Sequence, residues 1–154
     1  MTIEISSAEI LHRVRDVAQD ELAVTTPDET LRYKIEPGSE KEDKMNTYIG
    51  ESVENLCSQM WRFLSPECIS NYASVENESV VLPERYVFDF DISERRALGK
   101  TAILKEKFAA VIVEYTLLRY YLDLGQVQLS QNHSQVAAAE LNKISSLLYT
   151  KALP

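Results

Sequence analysis

Between Thr101 and Leu124 apolar residues recur every three or four positions, and they are too numerous for one narrow face to hide. Leu104, Phe108, Val111, Tyr115, Leu118 and Leu122 form one stripe, with Ala109, Ile112 and Arg119 beside it. A helix with so wide an apolar surface has to stand at the centre of a bundle, surrounded by other helices. Gly125 follows where a left-handed cap is expected.

The rest of the chain supplies those neighbours. Ser6-Ser7-Ala8-Glu9 reads as a capping box. Ile10, Leu11, Val14, Val17, Ala18 and Leu22 then keep helical spacing, predicting a first helix over 6–24 that stops before Pro27. A second is predicted over 43–64 from Met45, Ile49, Val53, Leu56, Cys57, Met60, Trp61 and Leu64, with Gly50 marking a close helix contact. Ser65-Pro66-Glu67 starts a short helix to about Tyr72. The last helix is predicted over 132–150, through Val136, Ala137, Leu141, Ile144, Leu147 and Leu148. The expected core comprises Val14, Val53, Trp61, Phe108, Val111, Ile112, Tyr115, Leu141 and Ile144. At 154 residues the chain suits a single domain spanning 1–154, all-α, with a four-helix bundle-like core.

Two segments depart from helical spacing. Residues 25–43 form a polar, acidic arm in which Leu31, Tyr33 and Ile35 alternate with Arg32 and Lys34, the period of a strand. Residues 76–92 hold a predicted β-hairpin between helices 2 and 3. In it Ser79 to Leu82 pairs with Tyr86 to Ile92, and Tyr86, Phe88 and Phe90 alternate with Val87, Asp89 and Asp91. Short strands with no internal partner leave backbone groups to be satisfied. Leu31, Tyr33, Ile35, Tyr86, Phe88 and Phe90 are therefore the expected contacts between subunits, by strand addition.

Charge is divided unevenly. Met1 to Lys44 carries 6 basic and 11 acidic residues (net −5), Met45 to Ile92 carries 2 and 8 (net −6), and Ser93 to Pro154 carries 8 and 5 (net +3). The acidic total of −8 argues against DNA recognition as the main task, and the split suits stacking against a neighbour. Arg95, Arg96, Lys100, Lys105 and Lys107 form the one basic cluster, a candidate electrostatic contact.

Chemistry-bearing motifs are missing. The four glycines are isolated, so no phosphate-cradling loop exists, and there is no zinc-ligand pattern or nucleophile elbow. Asp89, Asp91 and Glu94 offer carboxylates to a hard cation, but alternating Asp is what the wet side of a half-buried strand needs. His12 shares a helix face with Asp16, and His133 reads as a capping or solvent-facing residue near the start of the last helix. Cys57 and Cys68 are expected as reduced, buried thiols. Met1 to Ser7, acidic and polar, does not read as a signal peptide, and no apolar run reaches membrane-spanning length. The expectation is a protein with no catalytic residues, no metal, no cofactor and no membrane association.

Three stretches carry a resemblance: Asp89-Phe90-Asp91-Ile92-Ser93-Glu94-Arg95-Arg96, the aromatic helix ending Tyr120-Tyr121, and Leu147-Leu148-Tyr149-Thr150-Lys151. The chain resembles the small helical neck proteins of tailed phages and prophages of Bacteroides-type bacteria, including the crAss-like phages. The order of elements also resembles the head–tail adaptor fold. The resemblance implies a homo-oligomeric ring, twelve copies by analogy with portals, assembled in the host bacterial cytoplasm and held in the neck of the virion. Its implied partners are identical subunits, the portal protein and a neighbouring neck or tail protein, with DNA passing through the channel without sequence-specific binding. A small cytoplasmic helical interaction or regulatory module, and a carboxylate-dependent metal enzyme, are the alternatives.

Overall fold

The computed structural model describes residues 1–25, 42–65, 72–91 and 99–149. Among them are four helices: α1 (Ser7–Thr25), α2 (Glu42–Gln59), α3 (Thr101–Asp123) and α4 (Val127–Tyr149). Four short strands accompany them: β1 (Thr2–Ser6), β2 (Ser74–Glu76), β3 (Ser79–Val81) and β4 (Arg85–Asp89). The fold is mainly α, with a small β-hairpin between the second and third helices.

Helix α3 is the centre, and α1, α2 and α4 all pack on it. Cross-links give the directions. Arg13 reaches Glu106 at 3.1 Å near the starts of α1 and α3, so these run parallel. Ser52 meets Thr116 at 3.1 Å, and Ser130 donates to the Leu118 carbonyl at 3.1 Å, so α2 and α4 run antiparallel to α3. Leu104, Phe108, Val111, Ile112, Leu117 and Tyr121 are fully enclosed.

The buried stripe of α3 turns away from the expected one: Leu118 is only half-buried and Leu122 is 50% exposed. Spacing of 104, 111 and 118 is a strict seven-residue repeat, and a straight helix drifts about 20° per heptad against it. By the end of α3 the core face has moved to Leu117, Tyr120 and Tyr121. One half of the expected capping box forms: the Glu9 N–H donates to Ser6 Oγ at 3.4 Å. Val14, Val53, Phe108, Val111, Ile112 and Ile144 are buried as expected, while Tyr115 and Leu141 are half-buried. Trp61 is not a core residue; it is 67% exposed. Helix α2 ends at Gln59, and the turn in which the Phe63 N–H donates to the Met60 carbonyl breaks the helical phase that would have turned Trp61 inward. Helix α4 starts at Val127, five residues earlier than its expected start.

The β pairing differs from the expected hairpin. β3 pairs with β2, through a turn in which Asn77 and Glu78 both take positive φ. β4 pairs antiparallel with β1, Ile3 opposite Phe88 and Ile5 opposite Tyr86. Thr2 to Ser6 alternates apolar and polar, and both isoleucines are buried. Past the end of β4, the Ser65 N–H donates to the Asp89 carbonyl at 2.8 Å and the Asp91 N–H to the Phe63 carbonyl at 2.9 Å. Tyr86, Phe88 and Phe90 therefore find their partners inside the chain: they are 1%, 0% and 4% exposed, which leaves no side-chain surface for a neighbouring subunit. Phe88 meets Phe108 edge-on with centroids 5.1 Å apart, and Phe90 lies 5.3 Å from the same ring. The arm residues Leu31, Tyr33 and Ile35, and the short helix expected after Ser65, lie outside the described residues.

Phe108→Ala removes the ring that both β4 aromatics rest on, and should cost about 3–5 kcal/mol in denaturant unfolding. Gly50 gives a sharper test. Alanine there would gain about 1 kcal/mol of helix propensity. Its Cβ, however, would stand 2.9 Å from Ala73 Cβ and 3.2 Å from the Tyr72 carbonyl, which accepts the Tyr86 hydroxyl at 2.6 Å. Gly50→Ala should therefore lower the unfolding midpoint rather than raise it.

Candidate functional site

The most perturbed polar cluster lies where α1, α3 and α4 meet. Imidazole Nε2 of His133 stands 2.7 Å from Glu21 Oε1, and Nδ1 contacts Glu114 Oε2. The ring stacks on Tyr121, centroids 5.5 Å apart and planes 20° from parallel. His133 is 6% exposed, so it is a buried member of the bundle rather than a capping or solvent-facing residue. A carboxylate beside each nitrogen favours the imidazolium form, in which both nitrogens carry protons. Burial alone would lower the imidazole pKa. Hydrogen bonding and charge from Glu114, then from Glu21, outweigh it and leave the pKa raised. The Glu21 pKa is also raised: burial dominates, His133 opposes it and the charge of Glu114 adds to it. Desolvation, with Glu21 and other neighbours adding, pushes the Tyr121 phenol well up.

A second cluster closes the other side of the bundle. The Tyr48 hydroxyl donates to Asp123, and the Arg119 guanidinium lies 6.0 Å from the Tyr48 ring. Burial and the Asp123 bond push the Tyr48 phenol up to about 12.

Neither cluster lines either of two surface grooves among the described residues. One groove, of about 480 Å³, runs between the start of α3 and the end of α4 and is floored by Ile103 and Leu147. The other, of about 360 Å³, lies between α2 and the β2–β3 hairpin. The His133 cluster can therefore lock three helices together, and it presents no proton-transfer group to a substrate in either groove.

The expected basic cluster divides. Lys100 donates to the Leu147 carbonyl, Lys107 stands 2.9 Å from Glu140 Oε2, and Lys105 is exposed. Arg95 and Arg96 lie outside the described residues. Asp89 accepts from Thr2 Oγ1 at 2.6 Å, Asp91 is exposed and Glu94 lies outside the described residues. Among the described residues no three acidic, His or Cys side chains gather as a metal site, and no helix is long and apolar enough to cross a membrane. His12 pairs with Asp16 at 3.1 Å on an exposed face, as expected. Cys57 is half-buried in α2, and Cys68 lies outside the described residues. Glu21, Glu114 and His133 carry no mutual sequence signal, because each comes from a different helix. Comparison with protein-family models, with curated proteins and with solved structures finds no match to this chain.

The raised His133 pKa fixes the sign of a pH effect. Its contribution to stability is complete below the unfolded value of 6.5 and is lost as pH rises through the folded value. Glu21, also raised, contributes in the same direction, losing stability as it ionises. Stability should thus fall as the pH rises, from about 4.5 upward through Glu21 and from about 6.5 upward through His133. His133→Leu, which leaves two carboxylates facing each other, should cost about 3 kcal/mol at neutral pH and flatten that slope in pH-dependent urea titrations.

Proposed function

We propose that this chain is a structural ring subunit of a tailed-phage neck, joining the portal to the tail and enclosing the channel through which DNA leaves the head. The resemblance in residues 89–154 points to that identity, and the mainly helical fold with its small hairpin between helices 2 and 3 is compatible with an adaptor. The observation that carries the reading is where the chemistry sits. The strongly perturbed groups are sealed between helices, whereas the grooves are lined by apolar side chains, lysines and glutamates suited to protein contacts. On this reading the protein is not an enzyme and needs no cofactor. Its partners are identical copies, the portal and an adjoining neck or tail protein, and its place is the virion.

The aromatic face of β4 is consumed by the chain's own core, so contacts between copies fall on other surfaces. Native mass spectrometry and negative-stain microscopy of the purified chain, alone and with a portal ring, test the proposal. A closed ring, twelve copies on the analogy with portals, is the expected result. A stable monomer that binds one partner one-to-one would select an interaction module instead.

A further inference from the structure

Two surfaces on opposite sides of α3 are complementary in shape class and in charge. The first is the groove between α3 and α4. Its floor is Ile103, 48% exposed, and Leu147. Lys107 and Lys143 line it and share one carboxylate, Glu140, at 2.9 and 3.0 Å. Two ammonium groups against one carboxylate leave this groove positive. The same balance acts on Glu140: burial raises its pKa, but the two lysines prevail and hold it below the usual carboxylate range.

The second surface is the β2–β3 hairpin. One face carries Val81, 37% exposed, with Glu76, the other carries Val75 toward the smaller groove, and Glu78 stands at the tip. Glu54 of α2 lies beside Val75 along the smaller groove. The hairpin is anchored near the start of α2, where the Asn46 side-chain amide donates to the Val80 carbonyl at 2.9 Å. That end of α2 lies against the end of α3, through Tyr48 and Asp123. The groove lies at the opposite end of α3 and on the α4 side, so the two surfaces cannot meet within one chain.

We infer that the hairpin of one copy docks in the lysine-lined α3–α4 groove of the next. Val81, on the same hairpin face as Glu76, covers Ile103 and Leu147, while Glu76 and Glu78 face Lys107 and Lys143. Such a contact is heterologous: each copy offers a hairpin on one side and a groove on the other, so repetition closes a ring or extends a filament. The inference rests on the ring reading and names its contact. It sets acidic residues of the middle segment, Met45 to Ile92, against lysines of the basic last segment.

Charge reversal tests it on the full chain, with sedimentation velocity reading assembly and circular dichroism reading the fold. Lys143 and Glu76 are both exposed and neither holds the core, so K143E and E76K should fold as the parent does. Each single change should weaken self-association about tenfold or more. The double change in one chain swaps the two charges across every contact, so opposite signs face each other again and assembly should return to near the parent level. Ile103→Asp should weaken assembly without rescue by E76K. If the single variants assemble like the parent, the docking is wrong while the ring reading stands. A double variant weaker than both singles also overturns the docking. A parent chain that stays monomeric, with the groove serving an acidic partner of another kind, overturns both.

Discussion

Desolvation of α3 is the constraint on which the other elements depend. A helix that buries Leu104, Phe108, Val111, Ile112, Leu117 and Tyr121 must be covered on most of its circumference. Three helices cover most of it. Towards its start, beyond the end of α2 at Gln59, the remaining side of Phe108 is closed by β1 and β4. This is why the first six residues take part in the core. Ile3 and Ile5 pair with β4, and the Ser7 N–H donates to the Glu84 carbonyl at 3.2 Å, tying the entry to α1 to the approach to β4. Edge-on packing of Phe88 on Phe108 joins sheet to helix at the point where the bundle has no fourth wall.

Within that enclosure the polar groups act by contrast with their surroundings. A histidine is expensive to bury unless carboxylates stand beside it, and the three helices bring Glu21 and Glu114 to its two nitrogens. The cluster therefore specifies how α1, α3 and α4 sit against one another, since sliding any helix by one turn would strand a carboxylate or the imidazole. Ser52 and Thr116 perform a milder version between α2 and α3, each hydroxyl also lying close to a carbonyl one turn back in its own helix. Apolar burial supplies the drive to collapse, and these polar contacts choose one register among several of similar packing.

The surface follows from the same arrangement. With α3 in the middle, the groove beside α2 and the groove between α3 and α4 differ in charge: Glu51 and Glu54 of α2 line the first, Lys107 of α3 and Lys143 of α4 the second. On the ring proposal, polarity of this kind suits head-to-tail association better than self-complementary pairing, because like surfaces repel when brought face to face. On the same proposal, the buried β4 aromatics leave the contact to charged groups and to exposed apolar ones such as Val81 and Ile103.

Local spacing alone determined the helices, since an i, i+3, i+4 pattern is a property of neighbouring residues and needs no partner to be read. It likewise determined the Ser6 cap, the Gly125 terminus with φ +74 and the alternation of β4. Tertiary structure decided what each strand pairs with, because Ile3 and Phe88 stand 85 positions apart and a period of two says which side is buried but not against what. It decided the fate of Trp61, through a turn that ends α2 early, and the final face of α3, through helical drift that only the three packed neighbours can reveal. It also decided the surroundings of His133: an isolated imidazole near a helix start reads as solvent-facing, and only the meeting of α1 and α3 around it supplies two carboxylates.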